Sequence, residues 1–348
     1  MDLIAWGRFI ILLSVLIFFH EFGHFLVARL FGVAVEEFGF GLPPRIWGKR
    51  IKGTLYSLNL LPIGGFVQLK GETGEELGFG GTDSFAIKSK LKRVGIVAAG
   101  ALGNFVLAWL IFAILFNFGM PVQAGKVLVG EVFEGSPAAV SGILPGDYIL
   151  SLDGTSTKTA VELSQLANAR LGKTVSLEFE HKGEQIKVNI VPRAKPPAGE
   201  GPLGVSIATA FTTETVPFWQ TPFLGLRETA RTLSFMVGSL GQMVSDLFQG
   251  KGVQVGGPVA IFTYSKIYGN EGLKSFLDFI ALISINLVVV NLLPIPALDG
   301  GRILLIGVEA LRRKKLSPRT EAAINSIGLA LLLVLMVLIS IRDIRTLL

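Results

Sequence analysis

The segment His20-Glu21-Phe22-Gly23-His24 follows a run of almost wholly apolar residues near the start of the chain. Residues four apart lie on one face of an α-helix, so His20 and His24 can bind the same metal ion there. Glu21 would lie beside that ion, where a carboxylate can activate a water molecule. The spacing therefore predicts a zinc site that hydrolyses peptide bonds. A structural histidine pair is the alternative, although His and Glu inside a hydrocarbon segment are costly unless they are paired or line a wet cavity.

The third ligand of this site must come from elsewhere, because a catalytic zinc ion has three protein ligands and keeps the fourth position for water. The chain contains three histidines and no cysteine, and His181 lies in a polar stretch typical of an exposed hairpin turn. A carboxylate is therefore predicted, and the candidate is Asp299. An Asp-Gly pair is by itself typical of a turn. Here, however, two prolines in the segment 291–302 would break a membrane helix. Non-helical backbone at membrane depth is tolerated only where it is buried in protein or lines a water-filled cavity.

The composition indicates that these residues belong to a membrane protein, because 50% of the 348 residues are hydrophobic and 17% are charged. Four apolar stretches are each close to the ~20 residues that a hydrocarbon core requires. They lie at about 3–30, 94–118, 277–293 and 324–341. The first is not a cleavable signal peptide, since its apolar run is too long and no small-residue cleavage site follows it.

The distribution of basic residues predicts the orientation in the membrane. Lys and Arg are concentrated in the loop between the first two stretches and in the loop after the third, which is typical of cytoplasmic loops. The segment between the second and third stretches would then face outward, together with both termini. Arg342 and Arg345 argue mildly against this, but the two loops outweigh them. The net charge of +6 is mostly this topology signal, and no basic patch interleaved with aromatic residues indicates nucleic acid as a partner.

The segment 124–192 is less hydrophobic and has the pattern of a small α+β domain. Short alternating runs predict strands at 126–129, 148–152, 175–179 and 186–190, with a helix at 159–170. The Ser-Pro-Ala-Ala stretch at 135–142 predicts a further short helix, followed by a tight Pro-Gly-Asp turn, and with these features the segment resembles a PDZ domain of the bacterial protease type. A further strand is expected from about Leu203, and the stretch at Gly204 and Val205 can capture a peptide end or edge. An ordinary terminal strand is the alternative reading of that stretch.

Helical spacing of apolar residues from Phe223 to Leu247 predicts an amphipathic helix after this domain. It is too polar to span a bilayer. We expect it either to lie at the membrane surface or to pack on the PDZ-like domain as a clamp.

The segment 58–69, between the first two apolar stretches, is predicted to form a hairpin or re-entrant loop. Its edge can pair with an extended substrate. The residues expected to do so are Gly64, Gly65, Phe66 and Val67. A cytoplasmic hairpin without substrate contact is the alternative.

Five features, in this order along the chain, resemble the site-2 protease family of intramembrane zinc metalloproteases, and most of all the bacterial regulator-of-sigma-E proteases. They are HEFGH at 20–24, GGFVQLKGE at 64–72, GALGNF at 100–105, the PDZ-like insert, and NLLPIPALDGGR at 291–302. The resemblance implies Zn²⁺ as cofactor, with His20, His24 and Asp299 as ligands and Glu21 as general base and acid. It also implies that Asn291 contacts the substrate backbone or the developing oxyanion. Many bacterial members have two tandem PDZ domains, whereas this chain has room for one.

We therefore predict a mainly α-helical polytopic membrane protein with four transmembrane helices, a membrane-associated β-hairpin and an inserted α+β PDZ-like domain. Its predicted parts are 1–121 (spans one and two), 122–210 (PDZ-like domain), 211–272 (amphipathic helix and linker) and 273–348 (spans three and four). The predicted substrates are single-span regulatory membrane proteins, such as anti-sigma factors, that another protease has already trimmed. The predicted location is the bacterial inner membrane, with the PDZ-like domain extracytoplasmic.

Two other functions fit parts of this pattern. A non-enzymatic PDZ scaffold would keep the metal only for structure, but it has no use for the base Glu21. A metal transporter would need further ligands across the membrane, and the sequence offers one site.

Overall fold

The computed structural model describes residues 2–72, 81–197, 200–214, 216–250 and 256–347. The chain divides into two compact units: a first unit of Met1–Phe116 and Pro217–Leu348, and a second of Asn117–Val216. Within the described ranges the elements, in chain order, are α1 (Leu3–Leu30), β1 (Val35–Ile51), β2 (Thr54–Leu69), α2 (Lys90–Asn117), β3 (Met120–Val132), α3 (Pro137–Val140), β4 (Tyr148–Leu152), β5 (Thr155–Ser156), α4 (Ala160–Asn168), β6 (Val175–His181), β7 (Glu184–Ile190), β8 (Val205–Glu214), α5 (Thr221–Phe248), α6 (Pro258–Glu271), α7 (Leu273–Asn291), α8 (Asp299–Arg312) and α9 (Pro318–Leu347).

Helices α1, α2, α7 and α9 are long and apolar enough to cross a membrane, which confirms the prediction of four such helices among the described residues. Helix α1 begins with the Asp2 carboxylate accepting the N–H of Ala5 and ends before Gly32, whose φ of +69° suits a helix C-terminus. Helix α2 begins at Lys90, earlier than the apolar run suggested. Charged residues can extend a membrane helix beyond its hydrocarbon part because they remain in the polar interface.

Glycines allow α1 and α2 to cross at very short range. A Cβ atom on Gly23 would collide with the carbonyl oxygen of Ala99, and one on Gly103 would collide with the carbonyl oxygen of Phe19. Such small residues at a crossing are the usual means by which membrane helices approach each other. The helices then bury an apolar cluster contributed by α1, α2 and α7, whose largest fully buried members are Leu12, Leu16 and Ile285.

Strands β1 and β2 form a sheet of the first unit that is more complex than a simple hairpin. The turn that joins them contains Lys52 and Gly53, both at positive φ. Phe38 of β1 pairs with Val67 on one side and with Tyr56 on the other, so the start of β1 lies between the two ends of β2. The predicted hairpin segment 58–69 reverses its direction within this sheet, because residues 55–58 run parallel to residues 37–40 on one side whereas residues 65–68 run antiparallel to them on the other. The tight turn lies upstream, where Gly53 provides the backbone freedom that a short turn requires.

The second unit has one sheet in the strand order β7-β6-β4-β3-β8, with β5 beside β4. The strands expected in this segment are all present, and α3 and α4 confirm the two expected helices. Its core is formed by alternate strand residues such as Val127, Ile149, Leu177 and Phe179. His181 differs from its predicted role as a solvated turn residue, because its Nδ1 lies 2.7 Å from Oδ1 of the buried Asp147.

Three helices of the first unit show features that the sequence did not indicate. Helix α5 packs by its small residues, since a Cβ on Gly225 would lie 2.6 Å from the backbone N of Ala113 in α2. The two placements expected for it, at the membrane surface or on the PDZ-like domain, stay predictions. Helix α6 lies in the part expected to be linker. The carboxylate of Asp343 in α9 accepts the N–H groups of Gly257 and Ala260 at its start, a cap from far along the sequence that local patterns cannot reveal. Helix α8, which begins at Asp299, was also not expected.

Candidate metal centre

Three side chains of the first unit converge on one point. The Nε2 atoms of His20 and His24 are 3.2 Å apart, and Oδ2 of Asp299 lies 3.4 Å from the first and 3.5 Å from the second. The three atoms thus form a nearly equilateral triangle. The structure brings together all three residues that the sequence proposed as ligands.

The triangle has the dimensions that zinc requires. Zinc bonds to His nitrogen and carboxylate oxygen are about 2.0–2.2 Å long, so a tetrahedral ion separates its ligand atoms by roughly 3.3–3.6 Å. Oδ2 of Asp299 is buried and has no hydrogen-bond partner among the described residues. A buried carboxylate oxygen without a partner is costly unless a cation lies against it. Two imidazoles and one carboxylate also form a donor set that binds zinc in preference to hard cations such as Mg²⁺ or Ca²⁺, which favour oxygen ligands.

Helix α1 positions the two histidines one turn apart on one face. Nδ1 of His24 lies 2.8 Å from the carbonyl oxygen of Ile96 in α2. A histidine that donates Nδ1–H to a carbonyl presents its unprotonated Nε2 to a metal. Helix α2 also leaves space for the rings, because a Cβ atom on Gly100 would collide with both His24 and His20.

The loop between α7 and α8 positions Asp299. Two glycines follow this residue, and a Cβ on either would collide with loop carbonyl oxygens, on Gly300 with that of Leu293 and on Gly301 with that of Ile295. The loop therefore folds directly onto the first turn of α8 and fixes the direction of the carboxylate. Farther along, α8 is tied to α2 by a buried ion pair between Arg93 Nη1 and Glu309 Oε2 at 2.6 Å.

Glu21 is held by the end of β2. Its Oε2 accepts a hydrogen bond of 3.0 Å from the backbone N–H of Val67. Since Val67 pairs with Phe38 on the other side, this edge of β2 faces the candidate base. The contact brings one predicted substrate-binding residue directly to the predicted general base.

The other residues of the first unit that were predicted to contact substrate lie next to Val67 in β2 or beside His20. Gly64 has a φ of +91°, and Gly65 pairs with Phe40 so closely that a Cβ would lie 2.8 Å from the carbonyl oxygen of Gly39. Phe66 pairs with Gly39 in the same ladder. Nδ2 of Asn291 lies 3.4 Å from Nδ1 of His20, so this amide contacts a candidate ligand in addition to any role towards substrate.

Gly204 and Val205 lie in the second unit. The N–H of Gly204 donates to Gly201, and its carbonyl oxygen accepts from Phe133, so both backbone groups already have partners. Val205 begins β8 and pairs with Val132. The other edge of β8 is the end of the strand order, which leaves this edge without a neighbouring strand among the described residues.

An ion pair beside the centre was not foreseen from the sequence. Arg302 of α8 contacts Glu72, which follows β2, with Nη1 and Oε1 2.6 Å apart. Burial opposes the positive charge, but Glu72 outweighs it and, with smaller contributions from Asp299 and Glu321, raises the pKa of Arg302 above its ordinary value. Both residues belong to the segments 64–72 and 291–302, and their opposite charges were the only signal of the contact.

Comparison with known proteins matches most of the chain to one family. Residues 8–335 match Peptidase family M50. A Clostridium perfringens protein named as a zinc metalloprotease is 35% identical over 333 residues, covering 95% of this chain and 96% of that protein. Zinc metalloprotease RasP of Geobacillus kaustophilus is 28% identical over 416 residues, covering 97% of each. Among solved structures, the PDZ domain of an SdrC-like protein from Listeria monocytogenes is 25% identical and covers 25% of this chain and 93% of that domain, with a TM-score of 0.23.

Proposed function

The chain belongs to the M50 peptidases, the site-2 protease family of zinc metalloproteases, and from this premise we propose that it cleaves peptide bonds within or next to transmembrane segments. The observation that supports this most strongly is the triangle of Nε2, Nε2 and Oδ2 atoms, two of which belong to the long apolar helix α1. A hydrolytic site on such a helix is suited to substrates that lie in the membrane.

We assign His20, His24 and Asp299 as the zinc ligands. Zinc, when bound there, polarises the scissile carbonyl and lowers the pKa of its bound water. Glu21 takes the proton of the attacking water and passes it to the leaving nitrogen. The hydrogen bond from Val67 keeps the Glu21 carboxylate in one orientation, as a proton carrier requires.

Substrate binding is assigned to the edge of β2 between Gly64 and Val67. A helical substrate hides its peptide bonds in its own hydrogen bonds, so it must unwind before attack. An extended segment can then add to this edge as a further strand. Gly64 and Gly65 let this part of β2 pack closely on the rest of the unit, because a Cβ on Gly64 would meet Ile17 and one on Gly65 would meet the carbonyl oxygen of Gly39.

Asn291 is assigned a positioning role towards His20 or the developing oxyanion. An amide can present either its oxygen or its NH₂ group. With the oxygen directed at Nδ1–H it would hold the ring, and with the NH₂ group directed at substrate it would stabilise negative charge.

The substrates we propose are single-span regulatory membrane proteins, including anti-sigma factors, after another protease has removed their outer part. The second unit is inserted in the sequence between α2 and α5. The loop between α1 and α2 and the segment between α7 and α9 are rich in Lys and Arg, which is typical of cytoplasmic loops, so the segment between α2 and α7 faces the opposite side of the membrane. We accordingly assign the PDZ-like unit to the outer face of the bacterial inner membrane. There it would exclude untrimmed substrates.

The direct test is cleavage by the purified protein in detergent. Single-span model substrates are incubated with and without a zinc chelator, and the cut is mapped by mass spectrometry. The proposal predicts a chelator-sensitive cut within or beside the apolar segment. Cleavage only in soluble flanking regions, or zinc binding without any cleavage, would contradict it.

A further inference from the structure

The charge environment of Asp299 contains a competitor for its carboxylate. Arg302 lies three residues later on α8, and side chains three apart on a helix are neighbours. A guanidinium is permanently charged and forms strong paired hydrogen bonds with carboxylates. Left without another partner, Arg302 would therefore be expected to bind Asp299.

In the structure Arg302 instead pairs with Glu72. Oε1 of Glu72 lies 2.6 Å from Nη1 of Arg302, while its Oε2 accepts the backbone N–H of Leu69 at 3.2 Å. Both carboxylate oxygens are thus occupied, one by the guanidinium and one by the end of β2. The anchored carboxylate holds the guanidinium towards the end of β2, while Oδ2 of Asp299 remains directed at the two histidines.

The surroundings make the choice of partner consequential. About three quarters of each side chain of the pair is buried, with 28% of Arg302 and 22% of Glu72 exposed. Water therefore cannot fully solvate a guanidinium that loses its partner, and the nearest alternative carboxylate on the same helix is the candidate ligand.

We propose that Glu72 is a positioning residue that sequesters Arg302 and so keeps the carboxylate of Asp299 available for zinc. This inference rests on the proposed role of Asp299 as a ligand. It makes an asymmetric prediction. Loss of Glu72 alone releases Arg302 to compete with zinc, loss of Arg302 alone removes the competitor, and loss of both is harmless to zinc binding.

The test measures zinc affinity, by competition with a chelator, in purified protein. Glu72→Gln retains an acceptor for Leu69 and should weaken zinc binding by about 10- to 100-fold, as is usual when a residue that supports a ligand is lost. Arg302→Gln should stay within about threefold of wild type, and the Glu72→Gln/Arg302→Gln double variant should recover to the same level. Asp83→Asn is the matched control, because it removes the same charge from the neighbouring Lys70–Asp83 ion pair and should have no effect.

Three results would overturn the inference. These are zinc affinity of Glu72→Gln equal to wild type, equal losses in both single variants, or a double variant no better than Glu72→Gln. Equal losses would mean that the pair is a simple clamp between β2 and α8. Asp299→Asn is measured in parallel. If Asp299→Asn retains wild-type zinc affinity, both the ligand assignment and this inference fail. If Asp299→Asn loses zinc and any one of the three results above is found, the inference alone is overturned.

Discussion

The backbone N–H of Val67 donates a hydrogen bond of 3.0 Å to Oε2 of Glu21, across 46 residues of sequence. This contact joins the strand edge that we assign to substrate binding to the carboxylate that we assign to proton transfer. A substrate that adds to the β2 edge would therefore be aligned with the base by the same strand.

Removal of this hydrogen bond should slow cleavage without removing the metal. Val67→Pro deletes the N–H, and proline is tolerated in an edge strand where the missing N–H does not bond to a neighbouring strand. A hydrogen bond to a charged group contributes about 1.5–3 kcal/mol, so kcat/KM should fall by roughly 10- to 100-fold. Val67→Ala keeps the N–H and is the control. Equal activities of the two variants would show that the contact does not orient Glu21.

Glu21→Gln should abolish cleavage and leave zinc bound. The amide cannot carry the proton, whereas both imidazoles remain in place. Loss of a general base should lower the rate by about 10²- to 10⁴-fold. Turnover within a few-fold of wild type, measured on a single-span substrate, would refute the assignment of Glu21.

Gly100→Ala should weaken zinc binding. Its Cβ would collide with the rings of His24 and His20, so the histidines or α2 must move. Displaced ligands should lower zinc affinity by at least about tenfold. Gly7→Ala is the matched control on α1, since nothing lies within 4 Å of its Cβ position. Unchanged affinity in Gly100→Ala would mean that the site is less closely packed than the structure indicates.

Replacement of residues 118–216 by a flexible Gly-Ser linker should preserve zinc binding, because the candidate ligands all belong to the other unit. If the PDZ-like unit excludes untrimmed substrates, the shortened protein should cleave full-length substrate that the intact protein leaves uncut. A recruiting unit would give the opposite result, because its loss lowers the effective concentration of substrate. Slower cleavage of trimmed substrate, with full-length substrate still uncut, would contradict the proposal that the PDZ-like unit excludes untrimmed substrates.

The parts of the site that follow from local spacing could be predicted from the sequence. His20 and His24 share a helix face because they are four residues apart, and the prolines before Asp299 indicated a broken helix. The supporting contacts could not be predicted, because they join distant segments. Examples are the carbonyl of Ile96 at His24 and the N–H of Val67 at Glu21.

The same distinction explains the fold. Apolar runs and strand alternation predicted the four long helices and the sheet of the second unit. Helix α6 was missed because its N-terminal cap comes from Asp343, and α8 because the Asp-Gly-Gly sequence at its start is typical of a turn. The two registers of β1 depend on which segments of β2 flank it, and side-chain alternation does not contain that information.

The most direct test of the account is the zinc content of Asp299→Ala measured beside that of Glu21→Gln. Both variants remove a carboxylate from the same centre, but only Asp299 is assigned as a ligand. The account predicts one zinc ion per chain in Glu21→Gln and loss of both zinc and cleavage in Asp299→Ala. One tightly held zinc ion per chain in purified Asp299→Ala would contradict it.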